Sequence, residues 1–362
     1  MGRTSRFTQH RLVRLVTALV LAVTGTISLA APASAHGRTR DVRVLTRNVF
    51  FGGDLGPSVA AQNLPEFLQA NAALVEHADR MDFPARARLL AAEIRERRPD
   101  LVGLQEVALW RTGPIFDPRP ATTVRADYLA ILQAALAATG QRYRVAVSQD
   151  EADLEAPAGD PFRFDVRLTL RDVILVRQGS PVRVTGTAQA QFQHNVVVTI
   201  PATGTTATLA FAWTAVDATL DRRPFRFVNT HLEAVDPIVR LRQAVELAEG
   251  PLRTVRPVIL VGDLNTGPDQ EALDDRLAYL VLLAFGLRDT WPVLHRRDPG
   301  YTVDLGVDLD QPADSLEHRV DLILVRGRVT PLCSEVFGTE RRTPDGRWAS
   351  DHLGHAATLA LR

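Results

Sequence analysis

The run from Pro257 to Val261, closed by Gly262, constrains this chain more than any other stretch. An apolar run without alternation reads as a strand covered on both faces. Such strands belong inside layered α/β folds rather than in one-sided sheets. Asp263-Leu264-Asn265 ends the run. In extended geometry Asp263 and Asn265 point to one side and Leu264 to the other, which sets a carboxylate beside a carboxamide at a buried strand's mouth. The same Asp-x-Asn spelling also serves an ordinary turn or helix cap, and the run alone leaves both readings open.

The N-terminus carries Arg3, Arg6, Arg11 and Arg14, an apolar segment from about Leu15 to Ala31, and Ala33-Ser34-Ala35. That is the layout of a secretory signal peptide over residues 1–35, cleaved after Ala35, with residues 36–362 as the exported catalytic domain. An uncleaved membrane anchor is the alternative, against which Thr17, Thr24, Thr26 and Ser28 dilute the apolar segment. No later segment is long and apolar enough to span a membrane. Cleavage leaves 327 of the 362 residues and removes four arginines and no acid, taking the formal charge from zero to −4. No global positive field then draws in nucleic acid. The chain has no lysine, so any grip on phosphate is local and falls to arginine, histidine, backbone N–H groups or metal. Cys333 is the single cysteine, which excludes an intrachain disulfide and leaves stability to core burial or a bound ion.

Other apolar runs also end in polar residues. Val42 to Phe50 reads as a strand with Asn48 near its exit, a turn former or a ligand. Pro84 to Arg98 reads as a helix, with proline in its first turn and Arg95, Arg97 and Arg98 in its last. Leu101 to Val107 follows as a short buried strand whose Glu106 is either exposed at the rim or held by a cation, because a lone buried carboxylate is costly. Trp110 to Pro120 reads as a loop, Thr122 to Thr139 as a helix, Tyr143 to Val147 as a strand and Asp150 to Asp165 as an acidic surface loop. Strands at about 172–176, 182–185, 195–200 and 206–216, with turns at Gly179, Gly186 and Gly204, fit an antiparallel meander. Arg226 to Leu232 is a strand with His231 near its exit, a structural or a catalytic histidine. The helix Ile238 to Leu252 then leads into the 257–262 strand, and residues 270–285 form a further helix. In Arg319 to Val325 only Asp321 interrupts the apolar faces, and it requires a histidine or arginine partner. Ser350-Asp351-His352 sets an acid and an imidazole before the last strand, Ala356 to Leu361.

Asn48, Glu106, His231, Asp263 with Asn265, Asp321, and Asp351 with His352 thus share one context, the end of an apolar strand. Packed sheets delivering these ends to one pocket would gather acids and amides for a hard divalent cation, and imidazoles for phosphate. At these residues the sequence resembles the endonuclease/exonuclease/phosphatase superfamily, which includes pancreatic-type deoxyribonuclease, abasic-site endonucleases, bacterial sphingomyelinases and inositol-polyphosphate 5-phosphatases. Its markers are Thr46-Arg47-Asn48, Leu104-Gln105-Glu106-Val107, Asn229-Thr230-His231-Leu232, Gly262-Asp263-Leu264-Asn265, Arg319-Val320-Asp321 and Ser350-Asp351-His352, in the family's order from about Val42 to Leu361.

The resemblance implies an α/β fold, a four-layer α/β/β/α sandwich of two mixed sheets flanked by helices; periodicity alone leaves a Rossmann-like sheet open. It implies Mg²⁺, or Mn²⁺ or Ca²⁺ in its place, held by Glu106 with Asn48 beside it and Asp351 near the metal. It implies that Asp263 orients or deprotonates the attacking water, that Asn265 holds that water and the phosphoryl oxygens, and that His231 and His352 stabilise charge on phosphorus with Asp321 paired to His352. Arg171 or Arg167 is a candidate phosphate contact, and Tyr143 a candidate for the mid-chain tyrosine of the abasic-site enzymes. The expected protein is a secreted, monomeric phosphodiesterase that cleaves nucleic acid by in-line attack of water on phosphorus. A sphingomyelinase-like or other phospholipid or small-molecule phosphoesterase is the alternative, and Trp110 to Phe116 and Phe162 to Phe164 are its candidate membrane contacts. A catalytically inactive binding protein is a third reading, disfavoured because every motif acid, amide and histidine is present.

Overall fold

The computed structural model describes residues 41–362; the leader expected at 1–35 and its cleavage site lie outside the described residues. Two large mixed sheets face each other. The first runs Val329–Phe337, Gly354–Leu361, Asp41–Asn48, Leu101–Gln105, Phe164–Arg177, Leu109–Pro114 and Thr123–Asp127, with Tyr143–Ala158 also paired to Phe164–Arg177. The second runs Arg288–Asp289, Asp321–Arg326, Val258–Asp263, Arg223–His231, Ala212–Leu220 and Arg183–Gln191. Val196–Ile200 and Thr205–Leu209 form a separate hairpin. Each large sheet contains one parallel pair, Asp41–Asn48 with Leu101–Gln105 and Arg223–His231 with Val258–Asp263. Parallel strands need a crossover, and helices supply both: Leu64–Arg80 and Phe83–Arg97 for the first, Pro237–Glu249 for the second.

Side-chain alternation assigns the layers. Ile259 and Val261 turn into the core between the sheets, where they join Val42, Val44, Phe225 and Phe227. Val258 and Leu260 turn the other way, onto Leu247 and Leu282 of the helices Pro237–Glu249 and Leu273–Ala284. Leu45, Val102 and Leu104 face Val75, Leu90 and Ile94 of the helices behind the first sheet. The order is helix, sheet, sheet, helix, which is the expected sandwich, and it explains why the 257–262 run is apolar at every position.

Several local expectations change. The stretch read as an acidic loop at 150–165 lies in a long hairpin, Tyr143–Ala158 with Phe164–Arg177, because its acids pair across the strands: Asp153 meets both Arg167 and Arg111. The helix expected from Thr122 begins only at Tyr128. Asp127 caps it by accepting from Leu129 N at 3.1 Å, and the residues before it form an edge strand. Leu109–Pro114 is a strand where a loop was expected. Trp110 is buried with its indole N–H on Phe51 O, which removes it from any membrane contact. Tyr143 is likewise committed to the core, its hydroxyl donating to Pro99 O at 2.9 Å, so it is not the phosphate-contacting tyrosine.

Arg86 holds the helix Phe83–Arg97 to the functional end of the first sheet. Fully buried, it donates to Met81 O, Val49 O, Ala349 O and Phe50 O at 2.8 to 3.0 Å. Arg86→Met removes these donors and leaves buried carbonyls unpaired. It should lower unfolding free energy by about 3–5 kcal/mol, read from urea midpoints. An unchanged midpoint would mean that water replaces the guanidinium at no loss.

Candidate active site

Sheet register sets three site residues in a row. His231 is opposite Asp263 and Asp263 opposite Asp321, so neighbouring strands of the second sheet present all three at one edge. In the first sheet Asn48 is opposite Gln105, with Glu106 the next residue along. The sheets are bonded to each other just beneath. Gln105 Nε2 donates to Asn229 Oδ1 at 2.5 Å, and Asn229 Nδ2 to Leu104 O at 3.1 Å. A Cβ at Gly103 would lie 2.3 Å from Asn229 Oδ1, so this approach requires glycine there. Asn48 completes the junction, its amide nitrogen donating to Glu106 Oε1 at 2.9 Å and Asp263 Oδ2 at 3.0 Å.

The Asp263 carboxylate stands between two imidazoles. Its Oδ2 is 3.5 Å from His231 Nε2 and 3.6 Å from His352 Nε2, while Oδ1 accepts from Asn265 N at 3.0 Å. That last bond closes an Asx turn, so the turn reading of Asp-x-Asn holds while the same carboxylate faces both imidazoles. Asn265 lies beyond the strand at φ 47°, and its amide nitrogen donates to Leu232 O at 2.8 Å. Burial alone would raise the Asp263 pKa, but His352 and His231 outweigh it and hold the carboxyl below its usual range. His352 Nδ1 is 2.8 Å from Asp321 Oδ2, and Thr302 Oγ1 fixes that strand by accepting from Asp321 N. Burial opposes charge on His352, yet Asp321, Asp263 and Asp351 together hold its pKa well above the usual imidazole value.

Glu106 has φ 57°, a left-handed conformation unusual for a residue with a Cβ, and its second oxygen accepts from Phe51 N at 2.9 Å. Burial and then the nearby Asp351 push its pKa up, and burial does the same for Asp351. Glu106, Asp263, Asp321 and Asp351 therefore crowd one pocket against two imidazoles, and a hard divalent cation fits the excess of oxygen ligands. Ligand atoms of Asp263, Asp321 and His352 lie within 4.8 Å of one another, but these three are already paired among themselves; Glu106 and Asp351 are the acids without a cationic partner at bonding distance.

Two expected contacts change role. Asn48 Oδ1 accepts from Phe50 N at 2.9 Å, and its amide nitrogen reaches the site as a donor bridging two carboxylates. Arg171 is buried, with Nε on Val107 O, and Nη2 on Ala108 O and Asp127. It braces the turn after Glu106 and is not a substrate contact; Arg167 is spent on Asp153. Two acids that the sequence reading missed lie behind His231. Asp172 Oδ2 accepts from His231 N at 3.2 Å, and Glu151 Oε1 is 3.9 Å from His231 Nδ1. Burial, followed for Glu151 by Asp172 and Glu106, keeps both well above the usual carboxylate range. Asp172 carried a sequence signal, a charge interrupting an apolar strand at Arg171-Asp172-Val173; Glu151 carried none within its acidic surroundings.

His355 supports the site from beneath. Its Nε2 is 2.7 Å from Ser334 Oγ and its Nδ1 3.1 Å from Asp321 O, and burial lowers its pKa from 6.5 to about 4. The unfolded chain therefore binds a proton that the folded one refuses between those values. Stability should fall by about 3 kcal/mol as pH drops from about 6.5 to about 4. In His355→Gln that part of the slope in urea midpoint against pH should vanish; an identical slope would assign the acid sensitivity elsewhere.

Paired carboxylates and imidazoles at the ends of two facing sheets, with an oxygen-rich place for a cation, define a metal-dependent hydrolase of phosphoesters. The chain belongs to the endonuclease/exonuclease/phosphatase family, whose model matches residues 48–352. Solved structures share the fold. An endonuclease/exonuclease/phosphatase family protein from Bacteroides thetaiotaomicron is 15% identical with a TM-score of 0.56, covering 89% of this chain and 98% of that one. A mannosyl-6-phosphatase from the same species is 16% identical with a TM-score of 0.53, covering 88% and 99%. D. rerio TDP2 complexed with single-strand DNA product is 18% identical with a TM-score of 0.51, covering 88% and 98%. None of the curated proteins matches the sequence.

Proposed function

We propose that this chain is an exported, monomeric hydrolase of phosphodiesters that works with Mg²⁺ held by Glu106 and Asp351. One observation carries the reading: the Asp263 carboxylate lies 3.5 and 3.6 Å from two imidazoles and is held there by Asn48, beside Glu106. Asp263 takes a proton from the attacking water, and Asn265, its Oδ1 still free to accept, steadies that water. His352, kept cationic by Asp321, donates to the phosphoryl oxygen as charge develops; His231 does so from the other side, its backbone N–H held by Asp172. As water forms its bond to phosphorus, the bond to the ester oxygen breaks and the alcohol leaves. When bound, a divalent cation supplies positive charge against the phosphoryl oxygens. Among the described residues no helix is long and apolar enough to cross a membrane.

Two substrate classes share this chemistry. Nucleic acid is the expectation from the motif set, and the DNA product bound by the zebrafish protein is in keeping with it. A small-molecule phosphodiester is favoured by one feature, the acid-lined apolar cleft beside the site. The mature protein, assayed with DNA, RNA and chromogenic diesters in Mg²⁺ and again with chelator, should cleave at least one of them in a chelator-sensitive manner. No cleavage of any with Mg²⁺, Mn²⁺ or Ca²⁺ would refute the hydrolase reading.

A further inference from the structure

A cleft of about 620 Å³ opens beside the reactive centre and shares Asp351 with it. Phe50 and Phe51 line it, the same residues whose main-chain N–H groups hold Asn48 and Glu106. Phe211 lines it too, its ring edge-on to His231 with 4.9 Å between centroids. The hairpin that pairs with neither large sheet contributes Val196, Val198 and Leu209. Alternation turns Val196 and Val198 to one face and leaves Val197 between them 62% exposed on the other. This hairpin thus presents an aliphatic face to a cavity next to charged chemistry, and an open apolar surface in that position reads as a ligand groove.

Charge narrows the ligand. The ionisable side chains lining the cleft are Asp54, Glu233, Asp304 and Asp351, and none of the lining residues is arginine or histidine. A nucleic-acid strand is gripped through its phosphates by cations, so successive phosphates would meet only repulsion here. Resting on the hydrolase reading above, we propose that the cleft takes an uncharged apolar group esterified to the scissile phosphate. The preferred substrate is then a phosphodiester with one alkyl or aryl arm rather than a polyanionic strand.

Methyl and hexyl p-nitrophenyl phosphate share a leaving group and a charge, so the ratio of their kcat/KM values reads the cleft. The hexyl ester should be favoured by about 30-fold, since burying a methylene is worth roughly fourfold and an open cleft covers about half of the five extra ones. It should also outrun a short oligodeoxynucleotide. Val198→Asp, and Leu209→Asn as a milder change, should bring the ratio to within about threefold of unity. A second readout needs no metal. The uncharged dye N-phenyl-1-naphthylamine should brighten on the full chain, be displaced by the hexyl but not the methyl ester, and fail to brighten with Val198→Asp. Equal kcat/KM for the two esters, a ratio untouched by both variants, or faster turnover of the oligonucleotide would overturn the assignment of the cleft. If neither ester nor the oligonucleotide is cleaved but the dye behaves as described, the hydrolase reading falls and the cleft assignment stands.

Discussion

An Asp263→Asn enzyme should lose about 10³-fold or more in kcat while folding as well as its parent. The replacement is isosteric, and its oxygen can still accept from Asn265 N, so the Asx turn survives. Its amide nitrogen, however, must then face Asn48 Nδ2 and both imidazole Nε2 atoms, a donor among donors where a carboxylate served all three. Two losses follow together: the proton acceptor for water disappears, and His352 loses one of the acids that keep it cationic. The alkaline limb of the pH–rate profile should therefore move to lower pH as kcat falls. Steady-state kinetics over pH, with near-ultraviolet circular dichroism as the folding control, provides the check. A kcat within about tenfold of the parent's would remove Asp263 from proton transfer.

Glu106→Gln should act on the cation first. The amide keeps the shape of the carboxylate but withdraws the charge that, with Asp351, makes the pocket a place for a divalent ion. Affinity for Mg²⁺ or Mn²⁺ should fall about 100-fold by titration calorimetry, and activity should return partly at high metal concentration. The residue's left-handed backbone adds a structural test. If that conformation exists to aim the side chain, Glu106→Gly should stabilise the fold or leave it unchanged while abolishing activity. Unaltered metal affinity in Glu106→Gln would put the cation elsewhere.

What was legible in the sequence had a common physical form. Asn48, Glu106, His231, Asp263 and Asp321 each interrupt or follow a run that burial on two faces keeps apolar, so a polar side chain there stands out and must have a partner. The two-sheet sandwich came from the family resemblance, since the same runs would serve a single doubly covered sheet. Glu151 stayed hidden because an acidic, proline-containing stretch looks solvated whether it lies free or, as here, in a hairpin crossed by Arg167 and Arg111. Arg171 was misread for the opposite reason: an arginine near a phosphate site suggests a contact, and only tertiary structure reveals that its donors are spent on Val107 and Ala108. The helix start at Tyr128 was missed because Thr122 to Asp127 holds no breaker; pairing with Leu109–Pro114 overrides local propensity.

The convergence of these residues on one divalent cation is tested most directly by an anomalous difference map from crystals grown in Mn²⁺. One strong peak is expected in contact with the carboxylates of both Glu106 and Asp351, on the same side of the pocket as Asp263 and His352. A peak held by Asp263, Asp321 and His352 with Glu106 uninvolved, or no peak at an occupancy that supports turnover, would contradict it.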